Sequence, residues 1–109
     1  MAYQDALLAL ADPTRRSILQ RLRRGPLAVG KIAARLPVSR PAVSQHLRVL
    51  EGARLVNVRR DGTRRLYGIE AAGLEELRRY LEGVWDDVLR NFGREAAAVA
   101  SARRRRRRR

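Results

Sequence analysis

The sequence contains no cysteine and one residue each of histidine, methionine, tryptophan and phenylalanine. Without cysteine there are no disulfides, no thiolate metal ligands and no cysteine nucleophile. His46 stands alone, with no evident acid–nucleophile pair to make a catalytic triad. A lone histidine on a helix reads more simply as a framework or phosphate-bonding residue than as a ligand. No glycine-rich phosphate loop is present either, and these absences together argue against an enzyme. No apolar run approaches the ~20 residues of a membrane span. Met1-Ala2-Tyr3-Gln4-Asp5 has no basic segment leading into an apolar one, so no signal peptide is expected and the cytoplasm is the expected location. Lysine is nearly absent, with Lys31 the only one among 25 cationic side chains.

Arginine fills the chain instead. The formal net charge is +14, and seven of those charges lie in the terminal run Arg103 to Arg109. The remaining body is still strongly basic, which points to nucleic acid or an anionic surface as partner. At 109 residues the chain is one domain with a modest core, of a size at which dimerisation helps.

The most informative stretch is Val38-Ser39-Arg40-Pro41-Ala42-Val43-Ser44-Gln45-His46-Leu47-Arg48-Val49-Leu50. Ser39 is a good helix N-cap, and Pro41 falls in the first turn, where its missing N–H costs nothing. Val43, Leu47 and Leu50 recur at helical spacing and form one apolar face. Arg40, Ser44, Gln45 and Arg48 lie opposite, with no acidic residue among them. Each of these side chains can bond phosphates or base edges. An apolar back with a cationic, acid-free front calls for a polyanion or an acidic partner, and double-stranded DNA fits best.

The flanking segments supply a frame. Tyr3 to Leu10 predicts a short helix with Tyr3, Ala6, Leu7 and Leu10 in an apolar stripe. Asp12-Pro13 restarts the chain as a second helix to about Arg24, with Ile18, Leu19 and Leu22 inward and its arginines outward. Gly25-Pro26 stops it. Leu27 to Val29 is short and extended. A third helix from Val29 to Leu36 ends at Pro37, and the Ser39 helix follows after a tight turn. Two helices joined in this way, the second with a polar front, form a helix-turn-helix.

Then the hydrophobic period changes. Leu55 to Arg60 and Arg65 to Ile69 alternate as strands around Asp61-Gly62-Thr63-Arg64, a strong hairpin signal. Arg59, Arg60, Arg64 and Arg65 make the hairpin a cationic wing. From Ala71 to about Arg94 a long helix carries Leu74, Leu77, Leu81, Val84, Trp85, Val88, Leu89 and Phe92 on one broad stripe. That stripe is more than one subunit is expected to cover, so Leu77, Leu81, Trp85, Val88 and Phe92 are expected to close a homodimer with Tyr3, Leu7 and Leu10. Residues 1–95 then form the DNA-binding and dimerisation domain, and residues 96–109 a disordered arginine-rich tail. The fold is mainly α: about five helices with a two-stranded β-hairpin wing.

Leu10-Ala11-Asp12-Pro13-Thr14-Arg15-Arg16-Ser17-Ile18-Leu19, then Leu36 to Leu50, then Arg65-Leu66-Tyr67 closely resemble the ArsR/SmtB family of bacterial winged-helix repressors. The resemblance covers about residues 4 to 92. Tyr80-Leu81-Glu82-Gly83-Val84-Trp85 is most similar to the metal-independent branch that includes the SdpR-type autorepressors. The resemblance implies a homodimer built on the first and last helices, bound to a two-fold symmetric operator and blocking transcription. Three departures accompany it. Metal-sensing members carry Cys-x-Cys at the start of the third helix, or Asp and His on the last. Here Leu27-Ala28-Val29-Gly30 stands at the first place and no histidine at the second, so no metal and no cofactor is expected, and no effector is evident. Ala28 replaces a capping Ser or Thr, which weakens that helix start by about 1 kcal/mol. Arg54 replaces a helix-closing glycine. Either Gly52 takes over the stop or Arg54 sits at positive φ.

Roles follow residue by residue. Ser39 caps the recognition helix. Ser44 and Gln45 are base-edge candidates, since glutamine bonds adenine bidentately. Arg40 and Arg48 read guanine or hold phosphate, and phosphate takes most such bonds. The resemblance, through the family's Ser-x-His-Leu pattern, implies a DNA-facing or framework role for His46. Arg59, Arg60, Thr63, Arg64 and Arg65 touch backbone or minor groove from the wing. The alternative function is nonspecific nucleic-acid binding driven by the basic surface and the tail. An adaptor for an acidic protein is a third reading, which the charge of the Ser39 helix supports less well.

Overall fold

A computed structural model describes residues 2–107. Its elements are α1 (Ala2–Leu10), α2 (Pro13–Leu22), β1 (Leu27–Ala28), α3 (Val29–Ala33), α4 (Arg40–Gly52), β2 (Val56–Asp61), β3 (Arg64–Ile69) and α5 (Ala71–Arg107). The chain forms two compact units that divide after Arg78.

In the first unit the helix boundaries follow local chemistry. Asp12 caps α2, its Oδ1 accepting from the amides of Thr14 at 2.8 Å and Arg15 at 3.1 Å. Those amides belong to the first turn and have no partner inside the helix. The other side of the junction is closed by Arg16. Its Nη1 donates to the carbonyls of Leu10 at 2.7 Å and Ala11 at 3.1 Å, so a cation satisfies the acceptors where α1 ends. The arginines of α2 are therefore not uniformly outward. Arg16 caps, and Arg15 and Arg21 are half-buried, each with Nε enclosed and without an acceptor.

Two elements are shorter than their sequence suggests. α2 ends at Leu22 rather than Arg24, because the amides of Arg24 and Gly25 turn back to the carbonyls of Arg21 and Leu22, and Gly25 takes φ +138°. α3 ends at Ala33 rather than Leu36. It begins on Ala28, which offers no side-chain cap, and it meets Pro37 within a turn of its end.

The core lies where these helices meet. Ile18, Leu22, Ile32, Val43, Leu47, Leu50, Leu55 and Val56 are at most 2% exposed. Leu77, from the start of α5, joins the same cluster at 7%. The sheet is three-stranded, in the order β1-β3-β2, where a two-stranded hairpin was expected. Leu27 and Ala28 pair antiparallel with Tyr67 and Leu66. Two residues between Pro26 and a helix start carry almost no strand signal; β3 offers the open edge that recruits them.

β2 and β3 pair from Val56↔Ile69 to Asp61↔Arg64, leaving Gly62 and Thr63 as the loop. Gly62 has φ +64°, and Thr63 is not among the residues at positive φ. Glycine at the first loop position is the type II′ pattern, whose twist matches the strands.

The second unit is helical. α5 continues through Arg107, whereas the sequence suggested an end near Arg94 and a disordered segment from 96. Ala96 to Ala102 contains the best helix former and no breaker, and arginine extends such a run at low cost. Arg108 and Arg109 lie outside the described residues. No helix among the described residues is long and apolar enough to cross a membrane.

Candidate nucleic-acid interface

α4 is held by its apolar face. Val43, Leu47 and Leu50 are at most 1% exposed, which fixes the rotation of the helix about its axis. At about 100° per residue, Gln45 and Arg48 then point directly away from the core, and both are exposed. Ser44 and His46 fall on opposite flanks and are half-buried. The N-terminus of α4 is set by Ser39, whose Oγ accepts from the amide of Ala42 at 3.2 Å.

The structure separates the predicted α4 residues into groups. Gln45 and Arg48 form the front, together with Val49, which is 44% exposed. Val49 was missing from the sequence-based site because valine reads as core. Its exposure follows from its position one turn beyond Gln45, and an exposed methyl pair there can meet a thymine methyl. Arg40 lies over α3, its Nη1 3.9 Å from where a Cβ on Gly30 would stand. His46 lies on the half-buried flank of α4, a helix that packs against α1 and α2. The carboxyl of Asp12 is held below its ordinary value, chiefly by the Arg15 amide bond. Burial opposes this, and the Thr14 amide and the charges of His46 and Arg15 add to it.

The wing divides its cations between two faces. Directly opposed residues on paired strands share a face. Arg60↔Arg65 is one such pair, on the face of Val58 and Tyr67; Asp61↔Arg64 is on the other. Arg64 donates to Asp61 at 3.3 Å, so part of its charge is already compensated. Among the described residues, Arg59, Arg60 and Arg65 have no ion-pair partner and are exposed. Like charges directly opposed on a strand pair destabilise it, and an external anion relieves that cost. Thr63 sits exposed at the tip.

Of the residues assigned to a dimer face, Leu7 is 41% exposed, Leu81 50%, Trp85 61%, Val88 51% and Phe92 68%. Tyr3 and Leu10 are half-buried. Leu77 is a core residue of the first unit, because the first turns of α5 pack onto the end of α4. Among the described residues no group of three or more His, Cys, Asp or Glu is placed to hold a metal ion.

A helix-turn-helix domain family matches residues 10–59, the span from the end of α1 into β2. The chain is 56% identical over 86 residues to the HTH-type transcriptional regulator Rv2034 of Mycobacterium tuberculosis, covering 79% of this chain and 80% of that one. It is 35% identical over 68 residues to the transcriptional repressor SdpR of Bacillus subtilis, covering 62% and 76%. Among solved structures, an ArsR-like transcriptional regulator from Rhodococcus sp. RHA1 matches with a TM-score of 0.75 at 33% identity, covering 84% of this chain and 87% of that one. The homodimeric winged helix-turn-helix DNA-binding domain of Mb0332 from Mycobacterium bovis matches with a TM-score of 0.63 at 31% identity, covering 79% and 80%.

Proposed function

The chain belongs to the ArsR/SmtB family of helix-turn-helix transcriptional regulators, and from that premise we propose that it is a homodimeric repressor of an inverted-repeat operator. The observation that carries this reading is the front of α4. Gln45 and Arg48 are exposed on a helix whose back is locked into the core, and Arg40 to Leu50 includes no carboxylate. Such a helix enters a major groove with Gln45 and Ser44 at base edges and Arg40 and Arg48 at phosphates. Arg59, Arg60, Thr63 and Arg65 on the wing add backbone contacts, with Arg64 contributing less while Asp61 holds it. His46 and Ser39 position α4.

Two copies are needed to read a two-fold site. The homodimer of Mb0332 and the exposed Trp85, Val88 and Phe92 support pairing through the first and last helices. The repressor name of SdpR supports repression over activation.

The metal-sensing sites of the family do not fit the donors present. Leu27, Ala28, Val29 and Gly30 at the entrance to α3 carry no ligand atoms in their side chains. On α5, Asp86 and Asp87 are adjacent and diverge by about 100°. We therefore assign the protein to the metal-independent branch.

Selection of bound sequences from a random DNA pool tests the reading. Enrichment of an inverted repeat with half-sites about 10 base pairs apart, centre to centre, is expected. A pool that stays random after selection overturns the repressor reading in favour of nonspecific nucleic-acid binding, the reading that the arginine run at the end of α5 supports.

A further inference from the structure

On the first unit, the end of α2 and the segment of α3 and its continuation border a wide, solvent-open groove of about 880 Å³. Its volume lies in the range of small-ligand clefts, about 300–1,000 Å³. Arg21 lines it from α2 and Arg24 from the turn that follows, Lys31 from α3 and Arg35 from just beyond its end, with Ser17 and Gln20 at its wall. No Asp or Glu is among the lining residues. None of the four cations has an ion-pair partner among the described residues. Arg21 is half-buried, with its Nε enclosed and unpaired.

This arrangement is costly without an occupant. Four like charges line one groove, three of them exposed, and the half-buried Arg21 is the least screened by water. A monocarboxylate would leave most of that charge uncompensated. A phosphate group carries several acceptor oxygens and up to two charges, and guanidinium groups bond it bidentately. Gln20 supplies a neutral donor beside them, whereas the Ser17 hydroxyl already donates to the Pro13 carbonyl at 3.1 Å. We propose that this groove is a phosphate-binding site, gripped by Arg21, Arg24, Lys31 and Arg35. The phosphate belongs either to a free phosphorylated small molecule or to a DNA strand passing α3. The site is distinct from the α4 front and does not depend on the repressor reading, since pyrophosphate alone tests it.

The test uses the full chain and the double variant Lys31→Gln, Arg35→Gln, whose positions are exposed and outside the core. Arg90→Gln, Arg94→Gln on α5 serves as a control of equal charge loss. Inorganic pyrophosphate is titrated into each by calorimetry at low salt. Separately, affinity for a random-sequence duplex is measured across a salt series. A loss of pyrophosphate affinity of at least about tenfold in the groove variant, and not in the control, is expected for a free-phosphate site. A fall in the salt slope of about 1.8 relative to the control identifies the DNA strand as the source. Either result supports the site. A groove variant that matches the control in both measurements overturns it.

Discussion

The amide of Gly73 donates to the carbonyl of Arg54 at 2.8 Å, and a Cβ on Gly73 would stand 2.7 Å from that same oxygen. Arg54 itself has φ +61°, the only non-glycine residue at positive φ among those described. The two residues thus form one joint: α4 ends in a left-handed turn, and the first turn of α5 packs directly onto the exposed carbonyls. Arg54 reinforces the joint by pairing with Glu76 at 3.4 Å. This contact brings Leu77 into the core.

Gly73→Ala places a methyl against backbone that cannot move aside as a side chain would. A loss of about 1–3 kcal/mol in unfolding free energy is expected from denaturant titration. Unchanged stability would mean that α5 does not dock this closely.

Arg54→Gly and Arg54→Ala both remove the Glu76 pair but differ in their tolerance of positive φ. The glycine variant is expected to be more stable than the alanine variant by about 1 kcal/mol. Equal stabilities would refute a strained Arg54.

Asp12 gives a pH signature. Its folded-state carboxyl titrates below its ordinary value of 3.8, so its contribution to stability is present above that value and is lost as the pH falls through the depressed one. Asp12→Asn keeps a capping oxygen and cannot titrate. The stability difference between wild type and variant should be flat above about pH 5 and shrink below pH 4. A difference independent of pH would show that the carboxylate is not stabilised in the fold.

The α4 front and the wing should separate in DNA binding. Ser44→Ala with Gln45→Ala should reduce discrimination between operator and random DNA by about 1–3 kcal/mol. Arg60→Gln should weaken both alike and lower the salt slope by about one. Arg64→Gln should do less, because Asp61 already holds Arg64. Equal losses on operator and random DNA from the first variant would remove Ser44 and Gln45 from base reading.

Trp85→Glu places a charge on the exposed stripe of α5. Light scattering should show a monomer, and operator affinity should fall by about 100-fold or more as the second half-site is lost. A dimeric Trp85→Glu variant would place the interface elsewhere.

The features legible in the chain of residues are local ones. The Asp12 and Ser39 caps, the proline positions, the spacing of Val43, Leu47 and Leu50, and the glycine at the hairpin loop are all written within a few residues of where they act. Capping and amphipathic periodicity have that range. Hence the helix-turn-helix, the wing and the exposure of Gln45 and Arg48 opposite the apolar face of α4 are legible in the sequence, as is the departure at Arg54. Tertiary structure decided what depends on distant segments meeting. It added β1 to the sheet through Tyr67, and exposed Val49 while burying Leu77. It tied Arg64 to Asp61 but left Arg60 and Arg65 opposed without a carboxylate. It also gathered Arg21, Arg24, Lys31 and Arg35 around one groove. A cation's role is set by which carboxylate or carbonyl lies within a few ångströms, and in an arginine-rich chain composition cannot say which arginine has found a partner.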